Sequence, residues 1–171
     1  MKADGCKKLL RTRHFPLSRH APRRFKNWVV VGFGGNVGEV ARRFERVFWR
    51  FERDRRFFVA QCSPLLLNAA FGYTQQADFL NAVVLLKTSL NAADVLKITQ
   101  NLEKRFGRIR SFKNAPRTLD LDLLFFSRKT LQSERLWLPH PHAKRRWSVM
   151  LLLGLMQASG QNLRKSRGFE N

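Results

Sequence analysis

The stretch NAPRTLDLDLLFF, residues 114–126, places two aspartates inside an otherwise apolar run of Leu and Phe. Successive side chains of a β-strand point to opposite faces, so Asp120 and Asp122 would share one face with Thr118. The opposite face would carry Leu119, Leu121, Leu123 and Phe125. A buried carboxylate without a partner is costly, so a cation should lie beside the two aspartates. The stretch therefore predicts a strand with one face in the core and one face in a polar cleft.

Magnesium is the cation that best suits two carboxylates in this arrangement. At a rise of about 3.3 Å per residue their Cα atoms lie about 6.6 Å apart, so the side chains could converge on one ion or bracket two. Oxygen ligands with no His or Cys nearby suit Mg²⁺, which is often shared between one or two carboxylates and substrate phosphates. The alternative is an aspartate pair on the solvated face of an edge strand, paired with neighbouring arginines.

Basic residues flank the two aspartates on both sides in the sequence. Those before them are Arg108, Arg110 and Arg117, and those after them include His140, Arg145 and Arg146. Carboxylates that hold Mg²⁺ and arginines that bind the remaining oxygens are the two halves of a polyphosphate site. This combination favours a nucleotide site over a solvated aspartate pair.

The apolar patterns outside this stretch predict an α+β domain. Apolar residues recur at helical spacing over residues 37–51 and 95–106, and a last apolar helix is expected at about residues 144–156. Strands are predicted at residues 27–35, at 57–67 with an interruption at Pro64, at 79–88 and at 117–126. The order β-α-β-β-α-β followed by a helix is typical of ferredoxin-like folds, in which an antiparallel sheet carries helices on one face.

Two asparagines are candidate N-caps for the predicted helices. Asn36 has Glu39 three residues later, as in a capping box. Asn91 precedes the second helix and has Asp94 in the first turn. Both positions therefore predict where a helix begins.

The glycines around the first helix invite comparison with a dinucleotide-binding loop. Gly32 and Gly34 follow a strand and precede a helix, but Val37 occupies the place of the third glycine. The predicted strand order is also antiparallel, whereas such a loop belongs to a parallel βαβ unit. We therefore disfavour a dinucleotide-binding site.

The 171 residues divide into a predicted domain and two basic ends. Residues 1–26 contain nine Lys or Arg and one acid without a helical or strand period, which predicts a disordered extension with His14 and His20 exposed. Residues 27–157 form the predicted domain, and residues 158–171 are expected to be a polar, basic tail.

The net charge points to an anionic partner. Thirty-three Lys and Arg against twelve Asp and Glu give +21, which suits nucleotide, nucleic acid or acidic lipid. Cys6 and Cys62 lack metal-ligand spacing and suit a reducing cytoplasm. The first residues lack the apolar segment of a secretory signal, and the longest apolar stretch, residues 149–156, is too short to span a bilayer. We expect a cytoplasmic monomer with no membrane partner.

Four motifs resemble those of one enzyme family. They are PRTLDLDLLFF, GGNVG, DFLNAVV and LPHP with two later arginines, and they lie between about Trp28 and Leu153. The chain closely resembles 6-hydroxymethyl-7,8-dihydropterin pyrophosphokinase of folate biosynthesis, for which PRTLDLD is close to diagnostic. The resemblance implies a ferredoxin-like fold and the transfer of pyrophosphate from ATP to the pterin hydroxymethyl group, with release of AMP.

The resemblance also implies a role for each matching residue. Asp120 and Asp122 match the ligands of two Mg²⁺ ions, and Asp122 is also a candidate for removing the substrate proton. Arg108 and Arg117 match arginines that contact the ATP phosphates. Positions that line the nucleotide site fall on Gln100, Glu103, Arg110, Arg135, His140 and Arg146. Positions that bind the pterin fall on Asn68, Phe71, Phe79 and Asn81.

Two departures from the family pattern leave alternatives open. Residues 113–115 replace a loop that often contains Trp, and Ser148 stands where a second pterin-stacking aromatic is expected. One alternative is therefore a family member that binds ATP or pterin without catalysis. The other is a nucleic-acid-binding module, because RNA-recognition domains share the element order, although Asp120 and Asp122 would repel a phosphate backbone. We expect ATP and hydroxymethyldihydropterin as partners and consider nucleic acid an unfavoured one.

Overall fold

A computed structural model describes residues 6–70, 75–109 and 115–165, with side chains up to Gln157 in the last range. The helices are α1 (Val40–Arg53), α2 (Ala92–Arg105) and α3 (Trp147–Lys165). The strands are β1 (Cys6–Leu10), β2 (Leu17–Ser18), β3 (Asn27–Gly35), β4 (Phe57–Cys62), β5 (Leu65–Asn68), β6 (Phe79–Thr88), β7 (Asp120–Phe126), β8 (Leu131–Gln132) and β9 (Trp137–Leu138). The interruption predicted at Pro64 separates β4 from β5.

Seven of the strands form one antiparallel sheet. Its path runs β1-β5-β6-β3-β7, and β4 pairs with the far end of β6 and with β2. The central strand β3 has β6 on one side and β7 on the other. Strands β8 and β9 form a separate small hairpin. The chain is therefore an α+β fold with an antiparallel sheet and a C-terminal helix.

Helices cover both faces of the sheet. Helices α1 and α2 contribute Phe44 and Leu102 to the larger core cluster, which also contains Leu121 of β7. Helix α3 contributes Leu152 to a smaller cluster with Leu124 of the same strand. Because Leu121 separates the two aspartates of β7, these point toward the face that α3 covers.

Helix α2 begins as predicted, but α1 does not. The side chain of Asn91 accepts a hydrogen bond from the backbone N–H of Asp94 at 2.9 Å, so this N-cap is confirmed. The N-cap position of α1 is Glu39, and its side chain makes no capping bond. The prediction for Asn36 is wrong because its side chain bonds to neighbouring loops instead, including the backbone of Arg117.

Residues 6–26 are part of the fold, so the prediction of a disordered extension is wrong for this range. Strand β1 pairs with β5, and β2 pairs with β4. Phe15 is fully buried in the larger core cluster. The ring of His14, expected to be exposed, stacks on Phe48 and lies 2.5 Å from Glu45 Oε2. Sequence patterns missed this because the two buried phenylalanines of this range, Phe15 and Phe25, are isolated among basic residues and show no periodicity.

A β-bulge near the end of β7 changes the direction of its last side chains. The register between β3 and β7 shifts between Val30 and Val31, which makes Leu124 an extra residue. Leu124 and Phe125 therefore both pack in the smaller cluster under α3. The prediction that Phe125 joins the core under α1 and α2 is wrong. It is correct for Leu119, Leu121 and Leu123.

The C-terminal helix is longer than predicted. Helix α3 passes the predicted end at Met156 and continues to Lys165, so the first part of the expected polar tail is helical. Within the described ranges, we find no helix that is both long enough and apolar enough to cross a membrane.

Candidate active site

The two aspartates of β7 lie opposite two glycines of β3. Gly34 is the register partner of Asp120, and Gly32 is the partner of Asp122. A Cβ atom at Gly34 would lie 3.3 Å from Asn81 Oδ1, which is tighter than ordinary van der Waals contact. The glycines therefore leave room for a cleft bordered by β3, β6, β7 and the start of α3.

Two arginines hold Asp120. Arg117 Nη1 donates a hydrogen bond to Asp120 Oδ2 at 2.7 Å, and Arg108 Nη1 lies 2.7 Å from Asp120 Oδ1. The second contact lacks hydrogen-bond geometry, so the buried Oδ1 atom has no hydrogen-bond donor among the described residues. Asp120 is therefore an almost buried carboxylate between two guanidinium groups, with one oxygen incompletely satisfied.

Glu103 fixes the position of one of these arginines. Its buried carboxylate forms an ion pair with Arg108 Nη1, and its Oε1 accepts a hydrogen bond from the backbone N–H of Leu121 at 2.7 Å. Glu103 thereby connects α2 and the residues after it to β7. These contacts give Glu103 a positioning role that the sequence did not predict.

Asp122 is held less tightly than Asp120. Arg146 Nη1 lies 3.6 Å from Asp122 Oδ2, and 33% of the Asp122 side chain is exposed. Burial raises the pKa of Asp122 above the ordinary aspartate value, and the negative charge of Asp120 raises it further. Burial lowers the pKa of the nearby His140, while the charge of Asp122 opposes that shift. A cation beside Asp122 would therefore be favoured.

The donor set fits a hard divalent cation. The described residues contain no group of three or more His, Cys, Asp or Glu side chains that could hold a metal by themselves. Two carboxylates are sufficient for Mg²⁺, because it keeps several waters and takes further oxygens from substrate phosphates. The unsatisfied Oδ1 of Asp120 and the raised pKa of Asp122 both indicate carboxylate oxygens that would gain from a cation.

Two of the predicted nucleotide-site residues lie on one face of α2. Gln100 and Glu103 line a cleft together with Lys104 and Arg108. Gln100 is exposed and Glu103 is buried, so the cleft has a polar opening and an ion pair at its base. Arg110, predicted for the same loop as Arg108, lies outside the described residues.

The remaining predicted nucleotide-site residues follow β7. The backbone N–H of His140 donates to Leu124 O at 2.9 Å, which fixes this residue beside the strand. Arg146 precedes α3 and reaches toward Asp122. Arg135 is exposed in the turn between β8 and β9 and makes no hydrogen bond or ion pair with the part of the chain that is described. The structure thus brings His140 and Arg146 to the aspartates but does not join Arg135 to them.

The predicted pterin residues meet where β5 and β6 pair. Asn81 Nδ2 donates to Asn68 Oδ1 at 2.5 Å, and Asn81 also lines the cleft of the two aspartates. The guanidinium of Arg117 lies over the ring of Phe79 at 5.4 Å, a cation–π contact. Phe71 lies outside the described residues. Two amides and an aromatic ring are suited to a planar ligand with polar edges.

Comparison with known sequences assigns the chain to a family. The family described as 7,8-dihydro-6-hydroxymethylpterin-pyrophosphokinase matches residues 30–157. The chain belongs to this family. It is 43% identical over 156 residues to the 2-amino-4-hydroxy-6-hydroxymethyldihydropteridine pyrophosphokinase of Campylobacter jejuni, in an alignment that covers 91% of this chain and 99% of the relative.

Two further pyrophosphokinases of the same name are also similar. The chain is 37% identical to the Helicobacter pylori protein, with 88% of this chain and 94% of the relative aligned. It is 34% identical to the Bacillus subtilis protein, with 72% of this chain and 74% of the relative aligned. The alignment with the C. jejuni protein leaves out fewer than 26 residues of this chain, so it includes at least part of residues 1–26. The segment that carries β1 and β2 is therefore shared, at least in part, with that pyrophosphokinase.

Asn36 and Arg43 hold the segment that leads into the two aspartates, although residue patterns did not assign either of them to the candidate site. Asn36 Oδ1 accepts from the backbone N–H of Arg117 at 2.9 Å, and Asn36 Nδ2 donates to Gln76 Oε1 at 2.8 Å. Arg43 Nη1 donates to Thr118 O at 2.7 Å. Together they fix the segment that leads into β7. The GGNVG motif was the available signal for Asn36; Arg43 had none beyond its place on an amphipathic helix.

The start of α3 forms a wall of the cleft without an aromatic ring. Ser148, Val149 and Leu152 line the cleft. Trp147, one residue before the position where the pyrophosphokinase pattern has an aromatic, packs against the smaller core cluster instead. This wall of the cleft therefore consists of aliphatic side chains and one hydroxyl group.

Proposed function

We propose that this protein transfers pyrophosphate from ATP to 6-hydroxymethyl-7,8-dihydropterin in folate biosynthesis, with Mg²⁺, and releases AMP. The observation that carries the proposal is the aspartate pair of β7 with three arginines around it, Arg108, Arg117 and Arg146. Carboxylates for a divalent cation and arginines for phosphate oxygens are the components that phosphoryl transfer requires. Family membership and the names of the relatives support the same reaction.

Asp120 and Asp122 are the residues that we propose to hold two Mg²⁺ ions together with the ATP phosphates. Mg²⁺, when bound, would neutralise phosphate charge and help orient the β-phosphate. Arg108 and Arg117 lie against Asp120 in the structure. With nucleotide and cation bound, the cation would replace the arginines as the partner of Asp120, and both arginines would donate to phosphate oxygens while Arg108 keeps its ion pair with Glu103. In both arrangements each charge keeps a partner, which avoids the cost of a buried unpaired charge.

The reaction itself is a displacement at the β-phosphorus. The pterin hydroxyl oxygen forms a bond to this phosphorus, the bond to the oxygen that bridges to the α-phosphate breaks, and AMP leaves with that oxygen. Arg108 and Arg117 stabilise the negative charge of the transition state. Asp122 is our candidate for accepting the hydroxyl proton. Positioning and charge neutralisation supply most of the acceleration.

We assign two binding regions on either side of the aspartates. The nucleotide region comprises Gln100, Glu103, Arg110, Arg135, His140 and Arg146, and the pterin region comprises Asn68, Phe71, Phe79 and Asn81. The 2.5 Å bond between the amides of Asn68 and Asn81 supports the pterin assignment, because such groups can read the donors and acceptors of a pterin edge. The contacts of Glu103 indicate that it acts by positioning Arg108.

We further propose that residues 27–157 are the catalytic domain and that its fold is a variant of the ferredoxin-like fold. The support is the strand order β7-β3-β6-β4 within the sheet, with α1 connecting β3 to β4 and α2 connecting β6 to β7. Strands β1, β2 and β5 extend this core. We expect a monomer to suffice, because a single chain brings Arg108, Arg117 and Arg146 to the two aspartates and places the amides of Asn68 and Asn81 together.

Product analysis tests the proposed function. The full chain with ATP, Mg²⁺ and hydroxymethyldihydropterin should form AMP and the pterin pyrophosphate in equal amounts, as followed by phosphorus NMR. Formation of ADP, or no turnover by a sample shown to be folded, would overturn the proposal. Binding of both ligands in calorimetry without AMP formation would instead identify a binding protein of this family.

A further inference from the structure

Helix α1 presents a row of exposed residues outside the catalytic cleft. Residues three or four positions apart on a helix share one side. Five such residues, which we call the arginine row, are exposed: Arg42, Arg46, Trp49, Arg50 and Arg53. At a rise of about 1.5 Å per residue the row is about 16 Å long. It is therefore a linear surface of positive charge that contains one aromatic ring.

A groove beside this row contains further arginines. It lies between the second half of α1 and α2, and its lining adds Arg55, Arg56 and Arg105 to Arg50 and Arg53. The floor of the groove is apolar and consists of Phe51, Ile98 and Leu102. Asp54 is the only acid among the described lining residues, and Arg56 Nη2 binds it at 2.7 Å.

The carboxylates within α1 do not neutralise the arginine row. Glu45 accepts a hydrogen bond from Thr12 and lies 2.5 Å from His14 Nδ1, while Glu52 pairs with Arg19 at 2.7 Å. Residues of the N-terminal segment thus bind both carboxylates of α1. Within the described ranges, the arginines of the row form no ion pair with any carboxylate. The partial charge of about −0.5 at each helix C-terminus offsets only a fraction of their charge.

The row and groove are separated from the catalytic cleft by α2. One side of α2 lines the groove through Ile98, Leu102 and Arg105. The other side lines the nucleotide cleft through residues that include Gln100 and Glu103. The proposed reaction therefore does not use the positive charge of the row, which is part of the net charge of +21.

We propose that the arginine row and the adjoining groove bind single-stranded RNA. Guanidinium groups suit phosphate oxygens, and a linear row suits an extended chain of phosphates better than one small anion. Trp49 has 41% of its surface exposed and offers a ring for base stacking. This surface lies on the helices, away from the sheet face where Asp120 and Asp122 would repel phosphate. Inorganic polyphosphate shares the charge pattern but has no bases, so Trp49 distinguishes the two ligands.

Fluorescence anisotropy of the full chain with a labelled single-stranded RNA of about 12 nucleotides tests this site. Binding should weaken as KCl rises, and the slope of log affinity against log salt should fall by about 0.7 for each contacting arginine removed. The variant Arg50→Gln with Arg53→Gln should bind at least about fivefold more weakly. The variant Lys8→Gln with Lys129→Gln removes two exposed charges outside the row and groove and should bind like wild type.

Further variants separate RNA from a simple phosphate chain and from the catalytic site. Trp49→Leu should weaken RNA binding without changing competition by inorganic polyphosphate. The double arginine variant should form AMP at the wild-type rate, because α2 separates its substitutions from the cleft. Equal weakening in both double variants would overturn the site in favour of general attraction. Wild-type RNA affinity in Trp49→Leu would overturn RNA in favour of a polyphosphate chain.

Discussion

Asp120 and Asp122 share one face of one strand, yet they differ in exposure and in their distance from arginines. Asp120 has 14% of its side chain exposed and lies 2.7 Å from each of two guanidinium groups. Asp122 has 33% exposed, and Arg146 stands 3.6 Å away. The protein thus neutralises one aspartate with its own side chains and leaves the other dependent on a cation from outside. Two positions that are equivalent in the sequence motif therefore differ in how closely the protein's own positive groups approach them.

The largest effect is expected from Asp120→Asn. The substitution leaves Arg108 and Arg117 close together without their shared counter-charge. The free energy of unfolding should fall by about 3 kcal/mol, and AMP formation should fall by at least about 1,000-fold. Urea denaturation and the product assay measure the two effects. The control Asp94→Asn removes an exposed carboxylate from α2 and should retain activity.

Asp122→Asn should lose a similar amount of activity but gain stability in Mg²⁺-free buffer. The substitution removes a charge that burial and the neighbouring Asp120 both disfavour. Thermal unfolding of the two asparagine variants beside wild type measures the contrast. Wild-type activity in either variant would move the metal site elsewhere, and an equal loss of stability in both would remove the distinction between the two aspartates.

Glu103→Gln should have an intermediate effect, because it acts on Asp120 through Arg108. Glutamine keeps an acceptor for the N–H of Leu121 but loses the charge that holds the arginine. We expect kcat to fall about 10- to 100-fold with the fold intact. Glu103→Leu should in addition lower the free energy of unfolding by about 1–3 kcal/mol, since the N–H becomes unpaired. Identical kinetics for Glu103→Gln and wild type would reject the positioning role.

Arg146→Gln removes the arginine that contacts Asp122 and should have a small effect on activity and stability. The Arg146 side chain is 54% exposed, so its contact with Asp122 is screened by water. The KM for ATP should rise about three- to tenfold, while the free energy of unfolding stays within about 0.5 kcal/mol of wild type. Steady-state kinetics at saturating pterin measure the first value. A loss of AMP formation as large as that expected for Asp120→Asn would show that Asp122 depends on this arginine.

The smallest expected effect is a change with pH in the stability difference between wild type and Asp122→Asn. The pKa of Asp122 in the folded protein is raised above the ordinary 3.8, so the folded state binds its proton more tightly than the unfolded state does. This contribution to stability is complete below about pH 4 and is lost as pH rises through the raised pKa. Without Mg²⁺, the stability advantage of Asp122→Asn should therefore grow from acid to neutral pH. A constant difference in thermal midpoint would contradict the shift.

Local patterns predicted the parts of the fold that depend on local geometry. The alternation of residues 119–123 was sufficient to assign the aspartate face, because the period of two in a strand is a property of the strand alone. Asn91 was recognisable as a cap for the same reason. The bulge at Leu124 was not predictable, because it exists only in the register against β3. Phe15 was missed because its burial depends on residues far away in the sequence.

The sequence likewise indicated some features of the candidate site, whereas others required the structure. Residue types and their spacing indicated the carboxylates and the arginines that flank them, whereas the amides of the proposed pterin region came only from the resemblance to the family. Roles that depend on convergence, such as those of Glu103 with Arg108 and of Asn36 with Arg117, became visible only in the folded chain. The exposed position of Arg135 also required the structure, since sequence alone could not place the β8–β9 turn.

Residue order alone specifies that one strand carries two carboxylates on the face opposite its core residues, and that the chain is strongly basic. Folding places Arg108 and Arg117 around Asp120 and leaves Asp122 more open, which residue order alone does not specify. The physical reason is that charge and periodicity are carried by each residue, whereas burial and ion pairing depend on which distant segments the sheet and helices bring together.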